Sequence, residues 1–392
     1  MKWETVEIIQ LGEVITGNTP PRKNPELYGD FIPFIKPTDM EIDRRYTPNP
    51  EECYSELGYE KYSKSLIPQG ATCVVTIGSI GKKMTQALTD CFINQAVNAI
   101  IPNQNFDNDF VYYLLKNNLD KVKGLDSGTS SGRENVSKSA FSSIELKVTK
   151  HLPTQRHIAS ILSGYDDLIE NNLKRIKLLE ENLSILYKQF KIATGNNWIN
   201  DSFSKFFTIN NGCAFKAEWY HEQGVPIIRT RDYSYSKFIN IEQNIFIDDS
   251  KAEDFTKYLL KEYDFLLIMV GASIGRFGIV LQKDLPALQN QNQWSLRERS
   301  EYNYLIVFKL LILEDILQTL LQQRTGAARD FFRTSFLNEL QISVPTKKLA
   351  NELNHSLTNS FRQINNLQKQ NTKLREARDI LLPRLMNGEI EI

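Results

Sequence analysis

The order of residues in this chain repeats itself. Ile32-Pro33-Phe34-Ile35-Lys36-Pro37-Thr38-Asp39 has a counterpart in Val225-Pro226-Ile227-Ile228-Arg229-Thr230-Arg231-Asp232. Ser79-Ile80-Gly81-Lys82 matches Ser273-Ile274-Gly275-Arg276, Asn94-Gln95 matches Asn290-Gln291, and Gly132-Arg133 falls on Ala328-Arg329. The pairs keep their order at a nearly constant offset. Each series ends in a short strand-like run, Ile144 to Val148 or Leu340 to Val344, and then a long helical pattern. Self-similarity of this kind means one structural plan used twice. It predicts two similar globular units, each leading into a helix.

The helices carry heptad seams. After Leu152-Pro153-Thr154 the seam runs Ile158, Leu162, Tyr165, Ile169, Asn172, Ile176, Leu179, Leu183, Leu186, Phe190. After Val344-Pro345-Thr346 it runs Leu353, Leu357, Ser360, Ile364, Leu367, Asn371, Leu374, Arg378, Leu381, Leu385, with Pro383 and Gly388 closing the helix. Apolar steps of three and four sustained this long mark a coiled coil. At 1.5 Å per residue each rod is roughly 50 Å long. A seam with polar breaks needs a partner with matching breaks, and the other helix of the same chain is that partner. Antiparallel pairing is expected, with the globular units at opposite ends and related by a pseudo-two-fold. The competing arrangement has each helix merely covering its own domain. Ile161, Leu168, Leu173 and Phe361 lie off the seam and are candidate docking positions for another protein. The fold class is α+β: two mixed α/β domains, 1–150 and 196–345, separated by long helices at 151–195 and 346–392.

Composition narrows the function. Lys and Arg total 47, as do Asp and Glu. A uniformly basic coat is excluded, so nucleic-acid binding would need local patches. The four cysteines, Cys53, Cys73, Cys91 and Cys213, show no C-x-x-C spacing. No disulfide framework or cysteine zinc site is indicated, and a reducing cytoplasm fits best. No signal-peptide core and no apolar run of about 18 residues is present, so no membrane contact is expected. The apolar stretch Tyr304 to Leu313, broken by Lys309, reads as a buried helix.

The globular halves offer three candidate contact segments each. Thr72 to Ile77 and Phe265 to Val270 are strand-like and enter Gly-containing turns with a serine and a cation. Ser79, Lys82 and Lys83, and likewise Ser273 and Arg276, combine backbone N–H groups, hydroxyl and charge in a way that suits phosphate. A plain turn between strands is the alternative. The polar run Ser127 to Arg133, with Thr129 and Arg133, is followed by Lys138, and its twin carries Arg324, Arg329 and Arg333. Arginine reads guanine edges bidentately and pairs with phosphates. Lys36, Thr38, Asp39, Arg229, Arg231 and Asp232 occupy paired positions early in each half, as base readers or surface charge. The side chains differ while the framework repeats, as two readers of different sequences would require.

Catalytic motifs are missing. His151, His157, His221 and His355 lie outside H-E-x-x-H or H-x-E contexts, and no G-x-G-x-x-G occurs. No metal site is expected. Gly78 to Lys83 lacks the spacing of a P-loop, and Asn18-Thr19-Pro20-Pro21 has the wrong order for an adenine methyltransferase motif.

The pattern resembles the specificity subunit of type I restriction-modification systems. The resemblance covers nearly the whole chain. It rests on the twofold repeat of domain and helix, and on Leu152 to Ala159, Ser127 to Ser139 and Leu381 to Glu389. It implies that the globular units are target recognition domains, each reading half of a bipartite, asymmetric site on double-stranded DNA. It implies that the helices are spacers on which two methyltransferase subunits dock and which restriction subunits join. S-adenosylmethionine, ATP and Mg would belong to those partners, with no cofactor in this chain. A stand-alone restriction or modification enzyme and a coiled-coil scaffold without a DNA role are the competing readings. If the helices are spacers, inserting one heptad into each lengthens the gap between half-sites and leaves both half-site sequences unchanged. Methylation mapping checks this, and altered half-sites with a constant gap would refute it.

Overall fold

Each globular part is closed by a short antiparallel ladder between its own two ends. Glu4–Glu7 pairs with Glu145–Val148, and Ile199–Ser202 pairs with Gln341–Val344. The computed structural model describes residues 2–125, 134–233, 237–239, 245–322 and 331–390. The chain forms two units: Met1–Asn171 with Asn371–Ile392, and Asn172–Gln370. The first long helix spans Leu152–Thr194 and the second Lys347–Met386, so each gives one segment to each unit. Pro153 sits in the opening turn of the first helix, where its missing N–H costs nothing.

The two units share one topology. In the first, Gly12–Thr16, Val97–Pro102, Thr72–Val75 and Met84–Gln86 form an antiparallel sheet in that order. A second sheet orders Tyr28–Gly29, Glu52–Tyr54, Ile32–Ile35 and Phe92–Ile93, with only the last pair parallel. In the second unit the matching sheets are Phe207–Asn211, Gln293–Glu298, Phe265–Ile268, Phe277–Ile279 and Tyr220–His221, Phe246–Ile247, Val225–Ile228, Leu288–Gln289. The duplication read from the sequence is therefore a duplication of fold. The strand register is the same in both, and only the second glycine of one turn is displaced by a residue. Val75 N–H donates to the Lys83 carbonyl and Ile268 N–H to the Arg276 carbonyl. Lys83, not Lys82, is the structural twin of Arg276, because the second turn carries one more residue between its glycines.

A helix lies against each first sheet. Asn108–Asn117 is capped by Asp107, whose side chain accepts from Asp109 and Phe110 N–H, and buries Phe110 through Leu115. Its twin, Phe308–Gln322, holds the expected apolar stretch. Lys309 within it is buried and paired with Glu298, which resolves an otherwise costly buried charge.

Within each unit the long-helix segments run antiparallel. In the first unit Ile158 and Leu162 share a core with Leu382, Leu385 and Met386, and Asp166 meets Arg378 further along. In the second, Ile176 and Leu183 share a core with Leu357, Phe361, Ile364 and Leu367. The seam positions Ile158, Leu162, Ile169, Asn172, Ile176, Leu183, Leu357, Ile364, Leu367 and Asn371 are buried; Tyr165, Leu179, Leu186, Leu374 and Leu381 are half-buried. Covering a domain and pairing with the other helix are both realised, since these cores include sheet residues such as Val74 and Phe265. Phe361 corrects the docking expectation: it is a core residue, edge-on to Phe238 and Tyr263. Leu168 is exposed, while Ile161 and Leu173 are half-buried.

The seam polarity is unequal between units. Arg378 is fully buried, with its NH1 2.5 Å from Asp166 Oδ1, while Tyr113 O–H donates to Asp166 Oδ2 at 2.6 Å. Arg44 clamps Glu170 of the first helix at 2.9 and 3.0 Å, and Arg45 holds Asp109 at 2.5 Å. The offset that superposes the seams carries Asp166 onto Phe361 and Leu183 onto Arg378. Leu183 and Phe361 line one small cavity in the second unit, so the equivalent pair there is apolar.

Asp166→Leu or Arg378→Met alone is expected to cost about 3–5 kcal/mol, by leaving one buried charge unpaired. The double variant should recover most of that in denaturant titrations; simple addition of the two losses would refute the coupling. Glu180, on the first helix beside the Lys237–Glu314 pair, has a buried Oε1 with no hydrogen-bond partner. Burial pushes its carboxyl up from 4.5 to about 7. Folding then takes up a proton between those values, so this contribution is favourable at low pH and falls as pH rises through them. Glu180→Gln should melt higher than the parent at pH 8 and lose that advantage at pH 5. A pH-independent difference would contradict this assignment.

Candidate nucleic-acid interface

In each unit a sheet strand ends in a turn that requires glycine twice. Gly78 and Gly81 have φ of 88° and 70°, and Gly271 and Gly275 have 93° and 85°. A Cβ on Gly81 would lie 2.8 Å from Lys123 Cβ, and one on Gly275 would lie 2.4 Å from Leu321 Cδ2. The turn is thus pressed against a helix end as well as bent the wrong way for an L residue. Ile80 and Ile274 anchor it in the core, while Lys82 and Arg276 are exposed. Ser79 is exposed, Ser273 and Lys83 half-buried.

A second turn is tied to the first. Asp39 accepts from Lys36 N–H at 2.8 Å and Glu51 N–H at 3.3 Å; Asp232 accepts from Arg229 N–H at 2.7 Å. Lys83 Nζ donates to the Pro37 carbonyl at 3.0 Å, and Arg276 NH2 to the Tyr233 carbonyl at 2.5 Å. In each unit the cation closing the glycine turn therefore ties it to the second turn, a lysine to Pro37 in one and an arginine to Tyr233 in the other. These contacts correct three assignments. The sequence suggests base readers at Lys36, Asp39 and Asp232, but the structure commits their charges to building the turn. Lys36 Nζ is held by Glu51 at 2.8 Å and Glu52 at 3.3 Å, and Asp232 is buried. Thr38 and Arg231 are exposed beside them, and Arg229 is half-buried.

A third segment joins the same end of the sheet. Gly78 N–H donates to the Glu134 carbonyl at 3.1 Å, Val136 N–H to Thr76 at 2.9 Å, and Phe332 N–H to Met269 at 3.0 Å. Asn135 bridges Ile77, and Phe331 bridges Val270. Lys138 and Arg333 follow as exposed cations. Thr129, Arg133, Arg324 and Arg329 lie outside the described residues. The sequence reading missed Lys123, packed against Gly81, and Lys116, which with Lys82 and Asn117 lines a cleft of about 320 Å³ in the first unit. Lys116 is 3.5 Å from Asp43, and burial pushes its pKa down. These lysines sit in an ordinary helical pattern, and only the close approach of helix to turn reveals them.

Three segments far apart in sequence thus converge beside one sheet end in each unit, supplying amides, hydroxyls and exposed cations. This suits a phosphate backbone with base edges beyond it. Among the described residues, no group of three or more His, Cys, Asp or Glu side chains could hold a metal ion, and no helix is long and apolar enough to cross a membrane.

Residues 1–181 match the family model described as the type I restriction modification DNA specificity domain. Over 413 aligned residues the chain is 25% identical to the specificity subunit of the type I restriction enzyme MjaIX of Methanocaldococcus jannaschii, spanning 100% of this chain and 94% of that protein. It is 30% identical over 180 residues to the HindI specificity subunit of Haemophilus influenzae, which is 45% of this chain and 39% of that one. The solved type I restriction-modification S subunit from M. genitalium has the same fold, with a TM-score of 0.56 at 17% identity over 98% of this chain and 96% of that one.

Proposed function

The chain belongs to the specificity subunits of type I restriction-modification systems, and from that premise we propose how its two units divide the work. Each unit reads one half of a bipartite DNA site with the face built from its glycine turn, its cross-linked second turn and its third segment. The observation that carries this is the conserved platform with changed side chains. The same backbone hydrogen bonds present Asn135 in one unit and Phe331 in the other, beside turns that expose Lys82 and Arg276. Identical scaffolds with different contact chemistry produce an asymmetric target. A neutral chain suffices, because phosphate contacts need only local cations.

Two methyltransferase subunits dock on the long helices in this reading, and restriction subunits join them. Leu178, Ile185 and Ile192 support it: they repeat every seven residues on the first helix and are 64%, 55% and 86% exposed. Ile380 on the second helix, the twin of Ile185 by the seam offset, is 61% exposed. Such a stripe asks for an apolar partner. The assembled complex would methylate adenine N6 with S-adenosylmethionine and cleave DNA with ATP and Mg, all bound by the partners, in the cytoplasm.

Co-expression with the cognate methyltransferase, followed by long-read mapping of N6-methyladenine in host DNA, tests the proposal. A bipartite motif with a fixed gap, lost when this chain is deleted, is expected. Methylation unaffected by the deletion would overturn it.

A further inference from the structure

One twin position in the duplicated face holds residues of opposite chemistry. Ile77 and Val270 occupy the same place in the two sheets, each just before the first positive-φ glycine of its turn. Their bridge partners are Asn135 and Phe331. Beyond each bridge the chain alternates in extended fashion, so residues two apart share a face. Val136 and Phe332 turn inward and are buried, at 2% and 5% exposure. Asn135 and Ser137 therefore share the outer face in the first unit, and Phe331 and Arg333 share it in the second.

Phe331 stands out there. Its backbone is fixed by the Val270 bridge and by the neighbouring Phe332 N–H to Met269 carbonyl bond. Its ring is nevertheless 41% exposed, although its neighbour Phe332 shows that an inward site for a ring was within reach. Arg333 on the same face and Arg276 in the adjoining turn are exposed as well. A partly exposed phenyl on a bridged strand, with Arg333 on the same face, matches base-edge chemistry. Arginine donates to guanine, and an apolar side chain contacts the methyl group that distinguishes thymine.

We propose that Phe331 is a specificity-determining residue of the second unit, its ring contacting a thymine 5-methyl group in one half-site. The inference rests on the DNA-reading role proposed above. It makes the duplicated position a place where the units differ in chemistry, since Asn135 in the first unit is suited to the hydrogen-bonding edge of adenine.

The test uses the full chain in its methyltransferase complex, with methylated motifs mapped for the parent, Phe331→Ala and Phe331→Leu. Phe331→Ala should relax one thymine position in one half-site, by roughly tenfold in discrimination, leaving the other half-site and the gap unchanged. Phe331→Leu, which keeps an apolar contact, should retain most of the preference. Duplexes with deoxyuridine in place of that thymidine should be methylated more slowly by the parent complex and equally by the alanine variant. An unchanged motif in Phe331→Ala, or an even loss of methylation at every site, would overturn the assignment; the even loss would mark a purely structural ring. A parent complex without any bipartite motif would remove the DNA-reading premise itself, and is told apart because it needs no variant.

Discussion

A helix of 43 residues with an apolar seam cannot stand alone in water, and one of 40 residues with a similar seam stands in the same chain. Their mutual burial is the constraint from which the rest of the structure follows. Helix propensity alone gives little stability at any length; the buried stripe gives most of it. Polar breaks in such a seam are tolerable only where the opposite helix or a docked domain completes them. In the first unit Arg378 finds Asp166, and Asp166 also takes the hydroxyl of Tyr113 from the globular part. The domain and the helix pair are therefore joined by one polar cluster as well as by the shared apolar core.

That coupling explains the short closing ladders. Glu145–Val148 ends just before the first helix begins, and Gln341–Val344 just before the second. Each ladder fixes the direction in which the chain enters its helix. The turns of the candidate interface then lie at the ends of strands whose other contacts are already set. In both units the outward cations are carried by backbone that cannot easily shift, because one glycine of each turn is packed against a helix end.

Much of this was legible from residue order. The repeat needed only a few short matches, and the seams needed only their spacing, because both are local patterns. Contacts that depend on residues far apart were not legible. Nothing near Asp39 or Asp232 signals that the carboxylate is consumed by backbone N–H groups, since Asp is equally common in exposed loops. The twin of Arg276 is Lys83 because strand pairing sets it, whereas matching of words favours Lys82. Phe361 fell off the seam by spacing, yet the domain surface covers it with Phe238 and Tyr263. Phe331 gave no sequence signal, because a Phe-Phe pair reads as core until the strand alternation shows which ring faces out.

The unequal crossings of the helix pair give the chain a sense of identity. One equivalent position is an ion pair, Asp166 with Arg378, and the other brings together Leu183 and Phe361. A first helix paired antiparallel with another first helix would set Asp166 against Leu183 twice. Two second helices would likewise set Arg378 against Phe361 twice. Either match buries charges without partners, and a buried charge stripped of its partner is strongly destabilising. Like halves therefore repel association through chemistry rather than shape, while unlike halves accept each other. A protein built by doubling one module has in this way written an address into each copy, so that its two helices tell each other apart.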